Sequence, residues 1–307
     1  MHKDNIWKHF FQDKRRYADL INAVGCDGEQ YIKAEDLEEQ DTASGGKYRD
    51  MLCRTAFGTN FALIGIENQE EVDYELPIRN MQYDVYRYHK EASQICRELK
   101  EKGEKLTAGE FLYGFKKDSR LHPVITLVLY AGKEPWDGPR CLHDMLNFTN
   151  IPDGLKDMTP DYPIHVIDIR RFIQTELFQT DIRHVFEFIQ RSESKEELLA
   201  LVENDSYFQA MDEDAYEVVA SYSDLKGIVS VNDNTDEGRK KDMCKAIIDL
   251  MADSREEGRE EGREEGRRLT MLENARNLLD VLSDEVIAEK IGLSLEQVHG
   301  LRLEAGV

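Results

Sequence analysis

The chain has 307 residues, 40% of them apolar and 33% charged, so it is long enough for one large domain with extensions or for two domains around a sizeable core. Its 62 acids and 40 bases give a net charge of −22, a field that repels nucleic acid in general and leaves room only for a local basic groove. Five widely spaced cysteines with no CxxC fit neither a disulfide framework nor a zinc knuckle. No window is long and apolar enough for a signal peptide or a membrane span, so a soluble, reducing, cytoplasmic setting is expected, with no membrane partner.

Charge is patterned along the chain. The first 24 residues are locally basic, with Lys3, Lys8, Lys14, Arg15 and Arg16 against Asp4, Asp13 and Asp19, and the next stretch, through EDLEEQD, is strongly acidic. Ile6, Phe10, Tyr17, Leu20, Ile21 and Val24 recur at helical spacings up to Gly25. KYRDMLCRTAF and FALIGIENQ read as two strands around a Gly58–Asn60 turn, hence a hairpin. A long helix follows, with Pro77 at its start, then HPVITLVLYAG, apolar on both faces as a central strand is. WDGPRCLHDMLNF reads as a turn and short helix, Ile164 to Ile169 as another strand, and residues from about Phe172 to Ser221 as helical. The order is that of an α/β domain with a mixed sheet flanked by helices.

The character changes after VNDNTDEGRK. A short amphipathic helix, MCKAIIDLMADS, leads into the repeat REEGREEGREEGRR from Arg255 to Arg268. Ion pairs Glu256–Arg259, Glu260–Arg263 and Glu264–Arg267 are worth ~0.3 kcal/mol each, whereas Gly258, Gly262 and Gly266 cost ~1 kcal/mol each inside a helix. The repeat reads either as a semi-flexible helical linker or as a glycine row for close helix–helix approach in a homo-oligomer. In SDEVIAEKIGLSLEQVHGLR, Gly292 caps one helix and Ser294 with Gln297 boxes the next. The pair is helix-turn-helix-like and serves either as a DNA reader or as a packing and oligomerisation cap. The expected domains are 1–230, a linker at 240–270 and a small helical segment at 271–307.

The candidate site is the polar end of FALIGIENQ. The proposed hairpin brings Asp50 beside Glu67 at one end of the sheet, two hard carboxylates suited to Mg2+, Mn2+ or Ca2+. The backbone carbonyl of Asn68 can add an oxygen, and Gln69 shares a face with Glu67 because strand side chains alternate. The plainer alternative makes Asp50 and Glu67 edge-of-sheet surface acids. Arg79 and Tyr83, one helical turn apart, can meet a phosphate or simply pack helix on sheet. His122 and His143 read as structural, and Trp136 with Asp137 as a turn-packing pair or a base-stacking one.

Taken in order, DNIWKHFFQDKRRYADLINAV, KYRDML, GIENQEEVDYELPIRNMQYD, HPVITLVLYAG and PWDGPRCLHDML resemble the Rpn family of recombination-promoting nucleases, often labelled putative transposases, within the PD-(D/E)XK nuclease superfamily. The C-terminal Gly-Arg-Glu tail also recurs in that group. The resemblance implies metal-dependent cleavage of DNA phosphodiester bonds, with Asp50 and Glu67 as metal ligands and Gln69 in the position of the superfamily lysine. It also matches Asp4 and Lys8 to an acid and a base of the first helix; Lys8, together with Arg79 and Tyr83 from their helical spacing, makes up the expected DNA contacts. Glutamine donates a hydrogen bond but brings no charge. The competing expectation is therefore a catalytically weak nuclease-fold protein that binds DNA or protein and assembles through its tail.

Overall fold

A computed structural model describes residues 3–44, 47–48, 51–57, 60–103, 105–222 and 240–305. The chain divides into two units, Met1–Cys244 and Lys245–Val307.

The first unit is an α/β structure. The N-terminal helical stretch is two helices, α1 (Lys3–Phe10) and α2 (Lys14–Gly25), because Asp13 caps the second by accepting the Arg15 backbone N–H at 2.9 Å. The acidic stretch that follows contains a short strand, β1 (Leu37–Glu39), and β2 (Ala43–Ser44) pairs with β3 (Lys47–Tyr48) in a small separate hairpin. The main strands are β4 (Met51–Phe57), β5 (Asn60–Gln69), β6 (Val124–Tyr130) and β7 (His165–Asp168). They form a five-stranded mixed sheet in the order β1-β4-β5-β6-β7, antiparallel from β1 to β5 and parallel from β5 to β7. Between β5 and β6 run α3 (Leu76–Glu101), with Pro77 in its first turn, and the short α4 (Ala108–Tyr113). WDGPRCLHDMLNF supplies only a single 3-10 turn, and α5 (Asp153–Lys156) precedes β7. The helical region after β7 is three helices, α6 (Ile182–Arg191), α7 (Lys195–Asn204) and α8 (Glu213–Tyr222).

The two faces of the sheet differ. Val128 and Tyr130 pack with Leu76 of α3, Trp136 and Ile164, so α3 covers the face that also carries Glu67 and Gln69, their partners in the β5–β6 ladder. On the other face Cys53, paired with Ile64, bonds Tyr17 of α2, and burial pushes its thiol up to about 11. Ile64, Ile66, Leu127 and Leu129 are buried on that side, each stabilising by roughly 1.5–3 kcal/mol. Arg16 is the polar hub of this layer. Its guanidinium pairs with Asp181 and Asp214, donates to the Phe10 carbonyl at 3.1 Å, and lies 4.2 Å above the Phe10 ring.

The second unit holds most of α9 (Met243–Arg276), then α10 (Asp284–Ile291) and α11 (Leu295–Ala305). The amphipathic segment and the Gly-Arg-Glu repeat are one continuous helix. Ion pairs form at Glu256–Arg259 (3.9 Å) and Glu265–Arg268 (2.7 Å), and a Cβ at Gly258, Gly262 or Gly266 would meet nothing within 4 Å. The end of α9 is anchored by a small core of Ala275, Leu279, Ile287, Val298 and Leu301, while Leu295 and Leu303 of the last helix stay exposed. Gly292 takes the left-handed cap at φ 84°, and Ser294 and Gln297 bond reciprocally as a capping box. Arg302 closes the unit, donating to Asp284 at 2.6 Å and to the carbonyls of Leu279 and Leu282 at 2.7 and 2.8 Å. Arg302→Ala is expected to accelerate amide exchange in α10 and α11 about tenfold, for a loss of roughly 1.5 kcal/mol, without changing exchange in the sheet. Equal exchange in both proteins would show that the apolar core alone holds the helices.

Among the described residues no helix is long and apolar enough to cross a membrane, and the five cysteines are free thiols.

Candidate functional site

Glu67 sits near the carboxyl end of β5 and is only 6% exposed. A buried carboxylate needs compensation, and Arg79, in the first turn of α3, supplies it by donating Nη2 to Glu67 Oε1 at 2.8 Å. The other guanidinium nitrogen, Nη1, pairs with Asp73 in the connecting turn. Asp73 also accepts the Glu75 backbone N–H at 2.8 Å. One arginine thus locks the strand end, the turn and the helix start into a single arrangement. Asp73 was not among the residues read from the sequence; nothing in its spacing marks it, because its role depends on the turn that brings it to Arg79.

Asp50 lies outside the described residues. Its chain neighbour Met51 pairs with Ile66, the neighbour of Glu67. The Gln69 carbonyl accepts the Ala131 N–H on the β6 side at 3.0 Å, so by strand alternation the Asn68 carbonyl is directed toward β4. Gln69 is half-buried on the Glu67 face. Tyr83 is 3% exposed in the layer between α3 and the sheet. That layer is polar: Asn80 is 1% exposed, and among the described residues neither of its amide atoms, nor Thr126 Oγ1, has a hydrogen-bond partner. Buried atoms of this kind call for ordered water or a ligand.

Lys8 is exposed on α1. Its neighbour Trp7 donates to the Tyr222 hydroxyl at 2.9 Å, and Tyr222 donates to Glu70, one residue past Gln69, at 3.1 Å. Burial, together with the Glu70 charge, pushes the Tyr222 phenol up, so it stays a neutral donor. The Asp4 side chain lies outside the described residues. His122 pairs with Glu91 and His143 Nε2 bonds the Thr159 carbonyl at 2.8 Å, both structural links. Trp136 is buried edge-on against Tyr130 and bonds the Gly138 carbonyl, which is the turn-packing reading. Beside it the loops after β5 and β6 line an open cleft of about 550 Å³, with Tyr74, Asp137 and Asp144 on its walls.

The donor types fit a hard divalent cation, namely one buried carboxylate and a strand carbonyl beside the strand that follows Asp50. Among the described residues no group of three His, Cys, Asp or Glu side chains is arranged to hold a metal ion, so a cation here would depend on Asp50 and backbone oxygen as well as Glu67.

Residues 47–217, from β3 into α8, match the family model described as "Putative transposase, YhgA-like". The chain belongs to that family. It is the Rpn/YhgA group that the ordered motifs resemble, and the match covers more than half of the chain, including Glu67, Gln69, Asp73 and Arg79. Searches of curated proteins and of solved structures find no match.

Proposed function

We propose that this member of the YhgA-like family is a metal-dependent DNA endonuclease of PD-(D/E)XK type, acting in recombination or mobile DNA. The observation that carries the reading is Glu67, a carboxylate buried at the end of an inner strand and held by Arg79 rather than left at a sheet edge. The mixed sheet flanked by helices and the match of residues 47–217 support it.

In this reading Asp50, Glu67 and the Asn68 carbonyl hold Mg2+, Mn2+ or Ca2+. Bound there, the cation would neutralise phosphate charge and acidify a water. Water oxygen forms the new bond to phosphorus, the bond to one deoxyribose oxygen breaks, and the proton lost by water is balanced by protonation of the leaving oxygen. Arg79 fixes Glu67 with one terminal nitrogen and Asp73 with the other, so in this reading its role is to position the metal-binding carboxylate. Lys8 is assigned to backbone phosphate. Tyr83, being buried, is assigned to helix–sheet packing.

The test is nicking of supercoiled plasmid by the full chain in Mg2+ and in EDTA. Mg2+-dependent nicking supports the proposal; its absence, with DNA still bound, favours the second reading, a nuclease-fold binding protein. Two observations favour that second reading: Gln69 in the lysine position and the net charge of −22.

Gln69 gives a further test. If it orients the attacking water, Gln69→Ala will lower turnover roughly ten- to hundredfold, about 1–3 kcal/mol, with DNA affinity nearly unchanged. Gln69→Lys will retain activity, because a cation there is compatible with phosphate. A drop in melting temperature with an unchanged rate per folded molecule would instead make Gln69 a strand cap.

A further inference from the structure

The helix α4 and its flanks form an exposed aromatic and basic element that lies outside the Glu67 cluster. Phe111, Leu112 and Tyr113 are consecutive and 78%, 73% and 79% exposed. Three large apolar side chains in a row on an exposed helix are costly unless something covers them.

The helix is held firmly in that display. Thr107 and Glu110 form a complete capping box at its start, and the other Glu110 oxygen accepts the Lys117 backbone N–H at 3.2 Å, tying down the loop that follows. Gly114 ends the helix in the left-handed conformation at φ 71°, where a Cβ would come within 3.1 Å of Cys96 Sγ on α3. The arrangement is therefore anchored to the long helix, and it presents its apolar side chains outward.

Charge and geometry together select the partner. Residues 102–120 hold five bases against three acids in a chain of net −22; Lys105, Lys117 and Arg120 of this stretch are exposed, Arg120 donating from one nitrogen to the carbonyls of Lys117 and Ser119. Successive residues of a helix point about 100° apart, so Phe111 and Tyr113 project to nearly opposite sides. A flat protein surface cannot cover both. A flexible polyanion with separate flat rings can, one nucleobase on each aromatic and phosphates on the flanking lysines and arginine.

We propose that α4 with its flanks is a single-stranded DNA contact, in which Phe111 and Tyr113 stack on bases and Lys105, Lys117 and Arg120 meet phosphates. The inference takes its ligand class from the proposed nuclease reading, but it does not depend on the cleavage step.

The test is fluorescence anisotropy of a labelled 30-nucleotide oligo-dT with the full chain in EDTA, beside plasmid nicking in Mg2+. Phe111→Ala/Tyr113→Ala is expected to bind at least about tenfold more weakly, and Lys117→Glu/Arg120→Glu to bind more weakly with a shallower salt dependence. Both variants alter exposed side chains and should melt like the parent. In Phe111→Trp, the indole emission should be quenched as oligo-dT is added. Equal affinity of parent and aromatic variant overturns the proposal. So does a parent that nicks plasmid without binding oligo-dT, which leaves the nuclease reading standing. Binding that weakens in the variants, with no nicking by the parent, supports the contact and overturns cleavage. A changed subunit count in light scattering with unchanged DNA affinity would make α4 a protein-docking helix and overturn the proposal.

Discussion

Glu67→Gln will lower Mg2+-dependent plasmid nicking by at least about a hundredfold while the chain keeps its fold. The expected activity loss follows from removing one of the two side-chain charges assigned to the cation, a contribution of roughly 3–4 kcal/mol to transition-state charge stabilisation. The expected survival of the fold follows from the geometry. Glutamine has nearly the same volume, its amide oxygen can still accept Arg79 Nη2, and Arg79 keeps its pair with Asp73. Replacing a charged acceptor by a neutral one costs about 1 kcal/mol, too little to unfold a domain of this size. A second readout is independent of turnover. The parent should melt at higher temperature as Mg2+ or Mn2+ is added, gaining about 2.7 kcal/mol at a hundred times the dissociation constant, and the variant should not. If the variant nicks at the parental rate, Glu67 is a scaffold acid clamped by Arg79, and the metal assignment fails. If nicking is lost while the metal-dependent melting shift persists, Glu67 acts on DNA or water rather than on the cation.

The fold was legible where one residue type dominates a segment. The strands β5 and β6 announce themselves by runs of Ile, Leu and Val, and the α10–α11 pair by Gly292 and the Ser294–Gln297 box, signals that act within a few residues. The strand β1 was not read, since Leu37 is its one apolar residue among acids and its pairing with Cys53, Arg54 and Thr55 is a long-range choice. The break between α1 and α2 was missed because apolar spacing continues across Asp13, whose capping role outweighs the period. The repeat in α9 was legible in type but not in extent. Its pairs and glycines summed to a loss when weighed alone, whereas the helix is anchored at its far end by Ala275 in the small core. At the site, strand alternation gave the shared face of Glu67 and Gln69, but not the arginine clamp. A helix residue meeting a strand acid twelve positions earlier depends on how α3 crosses the sheet, and that is set by Leu76 packing on Val128 and Tyr130.

Arg16→Ala should destabilise the first unit by about 3–5 kcal/mol and leave nicking per folded molecule intact. Arg16 is 3% exposed, and its fork meets Asp181 through Nε and Nη2 at 2.7 Å each, so α2 is tied to the start of α6. Nη1 reaches Asp214 at the start of α8, and Asp181 also accepts the Tyr207 hydroxyl at 2.7 Å. Removing the arginine leaves two partly buried carboxylates whose remaining partners among the described residues are the Tyr207 hydroxyl and the Ala215 backbone N–H. The cost is therefore mostly unpaired charge rather than the intrinsic worth of the pairs. A triple change, Arg16→Met with Asp181→Asn and Asp214→Asn, removes the charges together and should recover more than half of the loss. If the triple variant is no more stable than Arg16→Ala, lost packing against Phe10 dominates instead. Because this network lies on the sheet face opposite Glu67 and Arg79, it should act on how much protein is folded and not on how fast each folded molecule cuts. Denaturant melts and single-turnover nicking on the same samples separate the two, and a rate loss at full folding would show that the layer beneath the sheet positions the site as well as supporting it.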